Sequence, residues 1–396
     1  MIFRSFAAIV LAFSFALATS FSASAADKLV ITGKVRDNPT ISFAGIAGNA
    51  SLSQSVEGFL KACGWFEVVK SDGQYELSGT VNGSSAAIRL SMGGVPMTSW
   101  NFTVGNPRES AKDIVDAILD KLFKVKNICK TRIAFCADTA PGMKNIFICD
   151  IDGNDVKQVT NYQSLCVEPS WFPDGNSIGY TKYGKALTEV VETRLAPTVQ
   201  SRRLSSLPGL NAGVSISPDG RQMALILSPD HQVDLYVQNV GSTNPRRLTR
   251  GKAVEASPCW SPDSRKICFV SDESGRPRLY SINSDGSGRA LLPSVGSESV
   301  TPDWSDDNQI VYATKVGGAY TVAVLDLKTS ENIRATNVPG TWESPAWGPD
   351  NRQVVCKRSD GPRSSLFVID TWTGKVRQLL ATRNNLSMPS WSKAKQ

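Results

Sequence analysis

A single histidine, His231, serves the whole 396-residue sequence, and that scarcity removes most hydrolytic mechanisms at the outset. His231 stands in "SPDHQVDLY", a predicted turn between two outer strands, where an imidazole is solvated. A Ser-His-Asp enzyme needs a base beside its nucleophile, and no G-x-S-x-G elbow is present. No G-x-x-x-x-G-K-[ST] loop and no strand-linked G-x-G-x-x-G occurs, so a phosphate cradle is missing. The cysteines lack C-x-x-C spacing and ligand-spaced histidines, which argues against zinc. Cys136, Cys149, Cys268 and Cys356 fall in expected strands at different registers and read as small buried hydrophobes. One local disulfide between two of Cys129, Cys149 and Cys166 stays open. "DIDGNDV", from Asp150, suggests a calcium loop, but its twelfth position is Asn161 instead of glutamate. A hairpin turn at Asp152-Gly153 accounts for it. No cofactor and no metal are expected.

Long apolar runs are scarce as well. "MIFRSFAAIVLAFSFALATSFSASAAD" places Arg4 ahead of an apolar stretch from Phe6 to Ala18, and Ala23 and Ala25 meet the small-x-small cleavage rule. Residues 1–26 therefore read as a secretory signal peptide, with a mature chain from Ala26 or Asp27 and no lipobox cysteine. No later stretch reaches about 18 apolar residues, so an exported chain without membrane insertion is expected. Blocks of like charge are also missing. The net charge of +7 is scattered along the chain, unlike the concentrated stripe of a nucleic-acid binder.

What the sequence does have is a repeat. "EPSWFPDGNSIGYT", "GVSISPDGRQMALIL", "SPCWSPDSRKICFV", "TPDWSDDNQIVYAT" and "SPAWGPDNRQVVCK" share one phrase, and "MPSWSKAKQ" carries its first half. The anchors Trp171, Ile216, Trp260, Trp304, Trp347 and Trp391 are spaced by 45, 44, 44, 43 and 44 residues. A period in this range built from short strands marks a β-propeller blade. In each repeat the Pro-x-Trp segment is an innermost strand whose large side chain packs between blades. Pro-Asp-Gly makes the next turn, with Pro presetting φ and Gly accepting φ > 0. Residues 130–160 supply second, third and fourth strands with no innermost strand ahead of them. "MPSW" is an innermost strand with nothing after it. Joined, they close a six-bladed ring over 127–396 and hide its open edges.

Residues 27–126 lack the repeat. "SLSQSVEGFLKACG" has a helical stripe of Leu52, Val56, Phe59, Leu60 and Cys63 that ends at Gly64. "ESAKDIVDAILDKLF" places Ala111, Ile114, Val115, Ile118, Leu119, Leu122 and Phe123 on one face. "YELSGTV" and "AAIRLSM" alternate as strands. The fold expected is mainly β: a six-bladed propeller preceded by a small α+β domain that joins it near "KVKNICK".

A glutamate stands just before four of the innermost strands: Glu168, Glu255, Glu298 and Glu343. Loops leading into these strands ring the mouth of the central channel. Four carboxylates are therefore expected there, either as partner contacts or as solvated loop charges.

This order of segments, with "KTRIAF" at the junction, "EPSWFPDG", "SISPDGRQMAL" and "SDESGRPRLYSINSDG", resembles the TolB family of the Tol–Pal envelope system. The resemblance implies a non-catalytic periplasmic protein, monomeric when unbound. It implies capture of a Pal-type peptidoglycan-associated lipoprotein by the propeller and of a TolA-type inner-membrane protein by the N-terminal domain. Envelope integrity and cell division are the roles that follow, and bacteriocins use the same surface in some bacteria. Asn211 in "PGLNAGVSISPDG" matches the family near the partner surface, whereas Leu210 replaces its histidine. "DKLVITGKVRDN" matches the TolA-contacting segment only loosely. A propeller that takes a glycan or small ligand, and a hydrolase or lyase using channel-mouth carboxylates, are the alternatives.

Overall fold

A computed structural model describes residues 37–393; the expected signal peptide lies outside the described residues. The N-terminal unit is a five-stranded sheet with two helices. Its strands are β1 (Thr40–Ala47), β2 (Glu67–Val69), β3 (Tyr75–Asn82), β4 (Ser85–Met92) and β5 (Val95–Thr103), in the spatial order β2-β1-β3-β4-β5. Along β4, Ala86, Ile88 and Leu90 are buried while their neighbours are not. This period of two identifies a sheet with one covered face. Helix α1 (Ala50–Ala62) and helix α2 (Pro107–Phe123) supply the cover, and Leu52, Val56, Phe59, Ile114, Val115 and Ile118 join Leu77, Ile88 and Leu90 in one core.

Both helices start on an asparagine cap. Asn49 Oδ1 accepts from the Leu52 N–H at 2.9 Å, and Asn106 Oδ1 from those of Arg108 and Glu109 at 2.9 and 3.2 Å. Pro107 opens α2, where its missing N–H costs nothing. Gly64, at φ +72°, follows the end of α1 as the sequence suggests.

Six four-stranded antiparallel sheets form the ring. Numbered from the first complete repeat, the innermost strands of blades one to five are Cys166–Trp171, Asn211–Ile216, Glu255–Trp260, Ser299–Trp304 and Thr341–Trp347. Blade six joins Leu386–Trp391 to Arg132–Ala140, Met143–Asp150 and Lys157–Gln158. This is the closure that the sequence anticipates. Every anchor residue packs on the preceding blade. Trp171 sits with Ile146 and Ile148 of blade six, and Trp260 with Ile226 and Leu235 of blade two. The Trp171 and Trp260 indole nitrogens donate to the carbonyls of Ser390 and Ser215 at 3.1 and 3.0 Å.

The turn after each anchor also follows its sequence. In blade three the Ser261 hydroxyl donates to Asp263 Oδ1 at 2.6 Å, and the same carboxylate accepts from the Arg265 N–H at 3.1 Å. These bonds, led by the one from Ser261, hold the Asp263 carboxyl below the usual carboxylate range. The left-handed position of the turn is glycine in blades one and two. Ser264, Asn308 and Asn351 fill it elsewhere, at φ +60°, +60° and +54°.

All eight cysteines are buried free thiols. Cys129, Cys149 and Cys166 are unbridged, and burial pushes the Cys149 thiol up to about 12.

The N-terminal unit sits on the turns of blades five and six. Trp65 Nε1 donates to Asp350 Oδ2 at 3.0 Å, and Gln353 Nε2 to the Cys63 carbonyl at 2.6 Å. Arg108 bonds Asp150 and Asp152, and Lys112 reaches Asp150 at 2.9 Å. Asp350 stands in the turn after the first strand of its blade, and Asp150 and Asp152 stand at the end of the third strand of theirs and in the turn that follows it. The unit therefore sits, over blades five and six, on the side opposite the loops that lead into the innermost strands.

Candidate partner-binding face of the propeller

A channel of about 1010 Å³ runs along the innermost strands. Each of these strands breaks register once, at a bulge two to four residues ahead of its anchor. At each bulge one residue is left-handed: Glu168, Gly213, Ser257, Thr301, Ser344 and Met388, at φ +58°, +62°, +48°, +48°, +50° and +50°. All six line the channel. Five of them precede a proline, a position whose steric preference is extended. The sequence therefore points away from this geometry, and tertiary pairing imposes it. A β-branched Thr301 in this region is a true conformational outlier.

The four glutamates do not form one ring. They stand three, five, six and four residues ahead of their tryptophans, so each meets a different environment. Nor are they solvated loop charges. Glu168 lies within the innermost strand of blade one. Its Oε2 accepts from Thr181 Oγ1 at 2.9 Å and from the Gly213 N–H of blade two at 3.0 Å, tying two blades together at the channel wall. Glu343, within the innermost strand of blade five, pairs across the strands with Lys357 at 2.7 Å.

Glu298 directly precedes the innermost strand of blade four. It takes Lys315 at 2.9 Å and the Tyr320 hydroxyl. Burial, and then this carboxylate, raise the Tyr320 phenol above its usual value. Glu255 opens the innermost strand of blade three and is 2% exposed. Its Oε1 meets Arg289 Nη2 at 3.2 Å, while Oε2 is buried without a hydrogen-bond partner among the described residues. Burial pushes the Glu255 carboxyl up to about 7 against the pull of Arg289.

Asn211 is fully buried. Its Oδ1 accepts from Ser205 Oγ at 2.7 Å and the Leu207 N–H at 2.9 Å, and its Nδ2 donates to the Leu207 carbonyl at 2.7 Å. The side chain is thus engaged in shaping the loop into blade two, and its effect on any partner runs through that loop. His231 is exposed in a turn at φ +71°. No group of three or more His, Cys, Asp or Glu placed to hold a metal occurs among the described residues. No helix among them is long and apolar enough to cross a membrane.

Comparison with known proteins agrees with the ring. The TolB beta propeller domain family matches residues 119–395. A curated TolB homolog of Chlorobium luteolum is 28% identical over 206 residues, 50% of this chain and 45% of the relative. The Tol-Pal system protein TolB of Helicobacter pylori is 26% identical over 232 residues, 57% of this chain and 55% of the relative. The chain thus spans about half the length of these relatives. The crystal structure of TolB from Acinetobacter baumannii superposes with a TM-score of 0.81 at 20% identity, covering 92% of this chain and 99% of that one. That likeness extends the shared fold through the N-terminal unit. With the family match covering well over half of its residues, the chain belongs to the TolB β-propeller family.

Proposed function

We propose that the chain is a non-catalytic periplasmic component of a Tol–Pal system. In this reading the propeller captures a Pal-type peptidoglycan-associated lipoprotein, and the N-terminal unit contacts a TolA-type inner-membrane protein. The pairing couples the outer membrane to the cell wall and supports envelope integrity and division. One observation carries the reading: the N-terminal unit is fastened to one face of the ring, at blades five and six, through Asp350, Asp150 and Asp152, which leaves the loops of the opposite face clear of it. On that side Glu255, Glu298 and Glu343 are held in place by ion pairs with Arg289, Lys315 and Lys357, as parts of a preformed binding surface would be. A glycan site would call for exposed aromatics at the mouth, whereas Trp171, Trp260, Trp304, Trp347 and Trp391 are 4–8% exposed.

The test is capture of the organism's own Pal-type lipoprotein by the purified protein, with Glu298→Lys and Glu343→Lys alongside. Reversal at both positions is expected to weaken capture at least tenfold and to change its salt dependence, with folding checked by melting. Undiminished capture at low salt would remove the propeller face from the reading.

A further inference from the structure

The free face holds a second cavity of about 560 Å³, off the channel axis, over blade three. Arg250 and Lys252 come to it from the loop into that blade, Glu273 and Arg276 from the turn after its second strand, and Glu298 from the loop into blade four. Arg289 also lines it. Most of these charges are already matched. Arg289 lies over the Phe269 and Tyr280 rings at 5.5 and 5.1 Å and pairs with Glu255 and Glu273 at 3.2 and 2.8 Å. Glu298 holds Lys315 and Tyr320, and Asp272 Oδ1 accepts from the Val254 N–H at 2.8 Å.

Arg250, Lys252 and Arg276 are different. All three are exposed, and none has a side-chain ion pair or hydrogen bond among the described residues. Three unmatched cations gathered on one cavity repel one another, and an anion placed among them relieves that repulsion.

We propose that this cleft binds an acidic peptide segment of a partner protein. The inference rests on the partner-binding reading of the free face and gives that partner a chemistry. Carboxylates on the same walls select the class of anion. Glu273 and Glu298 would repel a dense polyanion or a phosphate-covered membrane surface, while an extended peptide offers backbone N–H donors to them and spaced carboxylates to the arginines. The cavity volume lies within the roughly 300–1,000 Å³ of ordinary ligand pockets, which suits a few residues of a peptide.

The experiment uses the whole folded protein and a fluorescein-labelled octapeptide of alternating Asp and Ser, read by anisotropy. The Asn-for-Asp peptide, inorganic phosphate and vesicles containing anionic lipid serve as comparison probes. The acidic peptide is expected to bind, to weaken with salt, and to lose at least tenfold in affinity in the Arg250→Ala, Lys252→Ala, Arg276→Ala variant. These side chains are exposed, so the variant should melt like the parent. Equal binding of the Asn peptide, equal affinity in the triple variant, or binding of phosphate or vesicles in preference to the peptide would overturn the proposal. Capture of the Pal-type lipoprotein is measured on the same samples. Capture without peptide binding overturns the cleft alone, and peptide binding without capture overturns the Pal assignment alone.

Discussion

The indole nitrogen of Trp391 donates to Oγ1 of Thr131 at 2.8 Å, joining residues 260 apart in sequence. Beside it the Arg132 N–H donates to Ser392 Oγ at 2.9 Å, and the Ser392 N–H to the Arg132 carbonyl at 2.9 Å. These bonds zip the last innermost strand onto the first outer strands. Deletion from Leu386 onward exposes the edge of Arg132–Ala140 and uncovers Val355, Leu366 and Val368 of blade five. The truncated chain is expected to melt lower and to oligomerise. A monomer with unchanged melting, by light scattering and calorimetry, would contradict closure. Thr131→Val is the milder test. It strands a buried indole N–H and should cost about 1–2 kcal/mol.

Arg352 ties the two units together. Its guanidinium lies between the Trp65 and Trp372 rings at 4.6 and 4.7 Å, bonds Asp370 through Nε at 3.0 Å, and reaches Asn38. A planar fork fits this slot and an ammonium does not. Arg352→Lys should therefore be nearly as damaging as Arg352→Ala, leaving Asp370 short of a partner at a cost of about 3 kcal/mol. Calorimetry is expected to show the N-terminal unit melting ahead of the ring. A single unshifted transition in both variants would show that the apolar contact alone couples the units.

Stability should fall from mildly acidic to neutral pH. Burial raises Asp116 from 3.8 to about 6 and Glu255 from 4.5 to about 7. Each carboxyl is more basic folded than unfolded, so its contribution is complete below the unfolded value and lost as pH rises through the folded one. Between about pH 4.5 and 7.5 the melting temperature should decline. Asp116→Asn, which keeps the acceptor for the Cys129 N–H, should flatten that decline. Asp152 and Asp263 have lowered values and act oppositely, losing their contribution in acid, so the optimum falls near pH 5. A melting temperature that rises from pH 5 to 8 would contradict the assignment.

Architecture was legible in the sequence because it repeats. A blade cannot bury its apolar face alone, so the same Pro-x-Trp and Pro-Asp signals recur at every blade, and the count reveals the ring. Each glutamate occurs once in its own setting, and there the sequence misleads. Proximity to a tryptophan suggested one ring of carboxylates, whereas Glu168 bridges two blades, Glu255 is buried, and Glu298 and Glu343 are paired with lysines. Arg289 and Lys357 lie 34 and 14 residues from the carboxylates they hold. No local pattern marks those partners. Pre-proline sterics likewise concealed the left-handed ring, because strand pairing overrides a local preference of that size.

That ring makes the last prediction. If the bulges are imposed by pairing, Thr301 at φ +48° carries strain that glycine would not. Thr301→Gly should then leave stability unchanged or raise it by up to about 1 kcal/mol, because relieved strain offsets the added freedom of the unfolded chain. The corresponding glycine in blade two should behave oppositely. A Cβ at Gly213 would lie 2.8 Å from Ile226 Cγ1 and 3.4 Å from Pro258 Cδ, and φ there is +62°. Gly213→Ala should therefore destabilise by more than 1 kcal/mol. It should also displace the N–H that Glu168 accepts, so Glu168→Gln and Gly213→Ala should be non-additive in a double-mutant cycle. Additive losses, or a Thr301→Gly variant that melts well below the parent, would mean that the left-handed residues are set by their own side chains and not by the pairing of the strands.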